Sequence, residues 1–180
     1  MLWFRHADPR FPFLWESTGQ PAARWHDTGE GPVHYLTDTP DGAWAEFLRH
    51  EGITQVEELE NVQRALWAVE VPPEPSAAPM LPTETLLGGT GTYEACRAEA
   101  RRQRAAGSRA LVAPSAALLE GGARAWKVDR GLREGNARDG QVLVLFGLRP
   151  GLEGWAAAGA GRPRAELLER VRQLDFTKLD

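Results

Sequence analysis

The chain has 180 residues, 42% hydrophobic and 26% charged, with a formal net charge of −4. That is one domain's worth of chain, long enough to bury a sizeable core. No apolar run approaches the roughly 20 residues of a membrane helix, the opening residues lack the pattern of a secretory signal, and the single cysteine, Cys96, excludes an internal disulfide and a cysteine-based zinc site. A cytoplasmic protein with no membrane partner is expected, and the acidic balance disfavours direct binding to nucleic acid. The basic residues are 19 Arg against 2 Lys, and the aromatics include 7 Trp.

Leu2–His6 reads as a strand, followed by a bulky run, Phe11–Trp15, broken by Pro12. Pro21–His26 is a second strand candidate. Asp27–Pro32 has the composition of a turn, and Val33–Leu36 is the return strand. Ala43–His50 is a helix with Trp44, Phe47 and Leu48 on one face, Asp41 as its N-cap and Gly52 as its stop. Thr54–Arg64 is polar and helical, and Ala65–Val71 has the composition of a strand. Pro72–Pro82 carries five prolines, which excludes regular structure and predicts an extended internal loop.

Gly88–Gly91 opens a helix over Tyr93–Ala106 that ends at Gly107. Arg109–Ala113 is a strand running into Pro114-Ser115. Ala125–Asp129 and Gln141–Leu148 are further strands, Pro150–Gly161 reads as a loop, and Pro163–Leu174 as a closing amphipathic helix. Hairpins and helices without βαβ alternation predict an α+β fold in a single domain over residues 1–180.

Each chemical candidate has a plain structural alternative. Gly88–Gly91 matches no phosphate-loop pattern and suits a helix entry. The arginines of 97–109 suit a solvated, ion-paired helix side or a partner face. Cys96 suits a small buried hydrophobe. The four histidines show no metal-ligand spacing, and no metal is expected. Glu46, beside the apolar helix face, suits a surface carboxylate paired with His50. Ser115, at a strand end outside any nucleophile-elbow pattern, suits a turn or helix cap.

The stretch ARWHDTGEGPVHYLTDTPDGAWAEFLRHEG, with Leu2–Arg5 before it and VAPSA at 112–116 after it, resembles the RES-domain family. The Arg motif is Arg24-Trp25 with the strand ending at Tyr35-Leu36. The Glu motif is Ala43–Leu48 with Glu46, and the Ser motif carries Ser115. The likeness is strongest over residues 2–119, so the proline-rich 72–82 lies within one domain.

The resemblance implies an ADP-ribosyltransferase-like fold of mixed and antiparallel sheets with flanking helices. It implies NAD as substrate, cleaved between nicotinamide and ribose by a glycohydrolase or phosphorylase reaction. It also implies a toxin paired with a helix-turn-helix antitoxin. A non-catalytic module binding NAD or ADP-ribose, and a transferase acting on a macromolecule, are the alternatives. The oligomeric state stays open, a homodimer included. In these terms Arg5 and Arg24 offer forks for the pyrophosphate, Tyr35 a ring face for nicotinamide, Glu46 a carboxylate for the oxocarbenium-like transition state, and Ser115 a contact to ribose or the amide. The residues expected to carry catalysis are Glu46, Arg24 and Ser115, and those expected to bind NAD are Arg5, Arg24, Tyr35 and Ser115.

Overall fold

The computed structural model describes residues 1–174. Its strands are β1 (Leu2–Ala7), β2 (Val33–Thr37), β3 (Arg64–Glu70), β4 (Ser76–Ala77), β5 (Ala110–Pro114), β6 (Ala123–Val128), β7 (Leu132–Arg138), β8 (Gln141–Phe146) and β9 (Glu153–Gly161). Its helices are α1 (Pro40–Glu51), α2 (Thr83–Leu87) and α3 (Tyr93–Ala105), with 3-10 turns at Val56–Asn61, Thr90–Thr92 and Ala165–Arg170. Seven strands form one mixed sheet in the order β4-β5-β8-β2-β1-β3-β9, and β6-β7 is a separate ribbon. Only the β4-β5 pairing within the large sheet is parallel. The molecule is α+β and single-domain.

The alternation along β8 shows how the sheet divides the core, since successive side chains point to opposite faces. Val142, Val144 and Phe146 pack with Trp25, Leu111, Cys96 and Ala100, under α3. Leu143 and Leu145 pack on the other face with Trp3, Leu36 and Val69. A third cluster joins Trp44, Phe47 and Leu48 of α1 to Leu66, Leu118 and Leu167.

Several elements differ from the sequence reading. Pro21–His26 is no strand: Ala23 and His26 bridge each other locally, which makes it a tight turn. Thr39, not Asp41, caps α1. Its backbone is extended and its Oγ1 accepts from the Gly42 amide at 3.0 Å, while Pro40 fills the first helical turn. Gly52 does end α1, at φ +66°, a conformation that suits glycine. The proline-rich segment holds a two-residue strand, β4, because Ser76 and Ala77 fall between prolines and pair with β5. Thr54–Arg64 makes only a 3-10 turn, and so does the expected closing helix.

Pro150–Gly161 contains β9, the longest strand. Its Ala- and Gly-rich sequence lacks the β-branched residues that mark strands, and pairing with β3 overrides that weak propensity. The strand β7 and the short helix α2 were not anticipated.

One seam in the sheet borders the candidate site. Strand β1 pairs with β3 from Leu2 to Ala7, and β2 pairs with β8 from Val33 to Thr37. Between β1 and β2 the register holds a single pair, Phe4 with Thr37.

Candidate active site

A cavity of about 310 Å³ opens at this seam. Phe4, Arg5 and His6 line it from β1, Tyr35 and Thr37 from β2, and Ala43, Glu46, Arg49 and His50 from α1. Arg24 enters from the turn before β2, Tyr93 from the start of α3, and Leu174 from the C-terminal tail. The sheet and α1 thus bring Arg5, Tyr35 and Glu46 to one cavity, which Arg24 joins from the turn before β2. Ser115 sits just behind it, between the lining residues Pro114 and Ala116.

Glu46 does not pair with His50. Its Oε1 accepts from the Ser115 hydroxyl at 3.2 Å. Ser115 is buried, and its Oγ also accepts from the amides of Ala117 and Leu118 at 3.2 and 3.3 Å. The one hydroxyl proton goes to Glu46 while both amides stiffen the turn, so Ser115 is a turn cap and a carboxylate holder at once. Burial raises the Glu46 pKa above the ordinary carboxylate range. The nearby charges of Arg49 and Arg24, with the Ser115 bond, partly oppose that shift.

Arg24 is 9% exposed, and its fork is largely engaged. Nη1 donates to the Thr85 carbonyl and Thr92 Oγ1, each at 3.3 Å, and Nη2 to the Gly88 carbonyl at 2.6 Å. Its guanidinium carbon lies 4.6 Å from the centre of the Tyr93 ring. Arg5 spans the seam, with Nη1 donating to the Tyr35 carbonyl at 3.0 Å. Burial pulls its pKa down to about 10. Both arginines therefore bring charge to the cavity while already holding backbone carbonyls.

Tyr35 lines the cavity and packs against the cluster under α3, and its hydroxyl is fixed by two partners. The Trp25 amide donates to it at 3.1 Å, and His26 Nδ1 lies 2.9 Å away. Burial raises the phenol pKa, so the hydroxyl stays neutral. This arrangement explains why His26 follows Arg24-Trp25: the turn that delivers Arg24 also orients Tyr35.

Among the lining residues outside the sequence-derived set are Arg49 and His6. Arg49 lies one turn beyond Glu46 on α1, and its spacing on an otherwise apolar face was the available signal. His6 is neutral, since burial, helped by the charges of Arg5 and Arg64, pulls its pKa down to about 3. Its Nδ1 lies 3.3 Å from Arg64 Nη2. A guanidinium only donates, so Nδ1 accepts and the ring proton sits on Nε2.

The glycine-rich helix entry has a structural task. A Cβ at Gly88 would meet Thr92 Cγ2 at 2.5 Å and the Glu84 carbonyl at 2.8 Å, which leaves room for glycine alone. Its carbonyl accepts from Arg24 and also from Arg49, at 2.9 Å.

The α3 arginines are ion-paired or stacked rather than gathered as a free basic face. Arg101 meets Glu94 and Glu30, Arg102 meets Glu99, Arg97 donates to the Ala23 carbonyl, and Arg104 lies over Phe146. Cys96 is fully buried, and burial raises its thiol pKa.

No helix among the described residues is long and apolar enough to cross a membrane. A family model described as the RES domain matches residues 2–128. No curated protein matches the chain. Strands β7, β8 and β9 and the tail that carries Leu174 lie beyond the matched residues.

Proposed function

This chain belongs to the RES domain family, and from that premise we propose that it consumes NAD, cleaving the bond between nicotinamide and ribose. The observation that carries the proposal is the Glu46 carboxylate in the cavity wall, held by Ser115 and flanked by Arg24 and Arg49. Three guanidiniums, of Arg5, Arg24 and Arg49, against one carboxylate leave the cavity net positive, which suits a pyrophosphate.

In the proposed reaction the Tyr35 ring face receives the cationic nicotinamide. Arg5 and Arg24 attract the pyrophosphate. The C–N bond breaks with its electron pair going to the nicotinamide nitrogen, so that nicotinamide leaves neutral. Positive charge then develops at the ribose C1′ and ring oxygen, and the Glu46 carboxylate stabilises it while accepting a ribose hydroxyl. Water or inorganic phosphate completes the reaction at C1′. Ser115 acts through Glu46 and so serves as a positioning residue. In the cell such an activity suits the toxin of a pair, with a helix-turn-helix antitoxin as partner.

The test is nicotinamide release from NAD by purified protein, with and without phosphate, for wild type and Glu46→Gln. Release by wild type and a loss of about 100-fold or more in the variant is the expected result. The phosphate dependence tells hydrolysis from phosphorolysis. A folded wild type that releases nothing overturns the proposal. Saturable NAD binding in calorimetry without product then favours a binding module, and ADP-ribose on a macromolecule by mass spectrometry favours a transferase.

A further inference from the structure

Arg49 is 4% exposed, yet its guanidinium ties together three distant segments. Nη1 donates to the carbonyls of Ala116 and Arg172, the latter at 3.1 Å, and Nη2 donates to the Gly88 carbonyl at 2.9 Å. Ala116 directly follows Ser115, the holder of the Glu46 carboxylate. Gly88 is the shared acceptor that also fixes Arg24. Arg172 belongs to the tail that places Leu174 in the cavity wall. That tail is itself laced to the Ser115 turn: Arg172 N donates to the Ala117 carbonyl at 2.7 Å, and Leu119 N to the Arg170 carbonyl at 2.9 Å.

Burying a guanidinium is unfavourable unless its surroundings compensate. Among the described residues the hydrogen-bond acceptors of Arg49 are all backbone carbonyls. Only a planar fork reaches three of them in different directions, and a lysine ammonium cannot reproduce that geometry.

We propose that Arg49 is a positioning residue, whose fork locks the Glu46 helix, the Ser115 turn, the Gly88 loop and the C-terminal tail together and so sets where the Glu46 carboxylate stands in the cavity. This rests on Glu46 being the catalytic carboxylate. The tail, although outside the family match, is then part of the working site.

Arg49 also faces Glu46 electrostatically. The other charged and titratable groups lining the cavity with that carboxylate are Arg24, Arg5 and His6 on β1, Tyr35 on β2, Tyr93 on α3 and His50 on α1. Arg49, ahead of Arg24, is the main counterweight to the burial of Glu46.

The test compares Arg49→Lys and Arg49→Gln with wild type in nicotinamide release across pH, beside thermal unfolding. Arg49→Gln is expected to lower kcat by about 100-fold with KM for NAD changed less than about threefold, and to move the acid limb of kcat/KM to higher pH. Arg49→Lys keeps a charge but loses the fork, so its kcat falls while the acid limb stays near the wild-type position. A merely structural role lowers the melting temperature and leaves kcat and acid limb per folded molecule unchanged; that result overturns the proposal. If Arg49→Gln does not fold, wild-type kcat in Arg49→Lys overturns it. An inactive wild type instead overturns the NAD-cleaving reading, and the two failures are thereby told apart.

Discussion

Ser115 donates its hydroxyl to Glu46 Oε1 at 3.2 Å, joining the turn after β5 to the middle of α1 across 69 positions of chain. The bond holds a carboxylate whose pKa burial raises. In the folded state Glu46 therefore keeps its proton to higher pH than in the unfolded chain. Below the unfolded carboxylate pKa, about 4.3, both states are protonated and the group contributes no difference. As pH rises beyond it, the unfolded chain ionises first and stability falls. Glu46→Gln is thus expected to raise the urea midpoint at pH 7, with the gain vanishing near pH 4. A midpoint at pH 7 equal to or below wild type contradicts this.

Tyr35 separates ring from hydroxyl. Tyr35→Phe keeps the ring face but strips the acceptor from the part-buried Trp25 amide and the partner from His26. A loss of about 1–3 kcal/mol in stability is expected from the unsatisfied groups. NAD affinity in calorimetry should fall modestly. Tyr35→Ala removes the ring as well, and a loss of affinity of about tenfold or more beyond Tyr35→Phe is expected if the ring meets nicotinamide.

Gly88→Ala places a methyl group where Thr92 Cγ2 and the Glu84 carbonyl already stand. The loop must shift, and its carbonyl moves away from Arg24 and Arg49. The expected cost is about 1–3 kcal/mol of stability, with nicotinamide release falling further than the unfolded fraction explains. Unfolding curves and rates per folded molecule, measured side by side, check it.

His34 is fully buried with neither ring nitrogen hydrogen-bonded among the described residues. Burial, with the charge of Arg5, pulls its pKa down to about 4, while Glu16 opposes the shift. Below about pH 6.5 the unfolded chain takes up a proton that the folded chain refuses. Stability therefore falls from pH 6.5 to about 4, by roughly 3 kcal/mol from this group. His34→Phe should flatten that part of the curve of unfolding free energy against pH. An unchanged slope in the variant argues against it.

The strands with compact apolar sequences were legible from their composition and their Gly and Pro borders: β1, β2, β3, β5 and β8. Strand β9 was not, because WAAAGAG has no intrinsic preference and takes its form from β3. Asp41 has a capping side chain, but it lies in the first turn of α1, and Thr39, two residues earlier, takes the cap. At the site, motif resemblance located Arg24, Tyr35 and Glu46, which the fold brings to one cavity, and Ser115 behind them. The roles of Arg49 and His6 are less legible because their partners, Ala116 and Arg172 for the one and Arg64 for the other, are distant in sequence. No local pattern records a contact across 123 positions, such as Arg49 with Arg172.

The single pair between Phe4 and Thr37 has a mechanical consequence. The pocket here is a zipper left undone within one continuous sheet, and Arg5 is the stitch across it. Each lip is anchored by its own complete ladder, β1 to β3 and β2 to β8. Side chains take over where the ladder stops: Arg5 holds the Tyr35 carbonyl and Thr37 Oγ1 donates to the Phe4 carbonyl, so the opening is framed on both sides by paired strands.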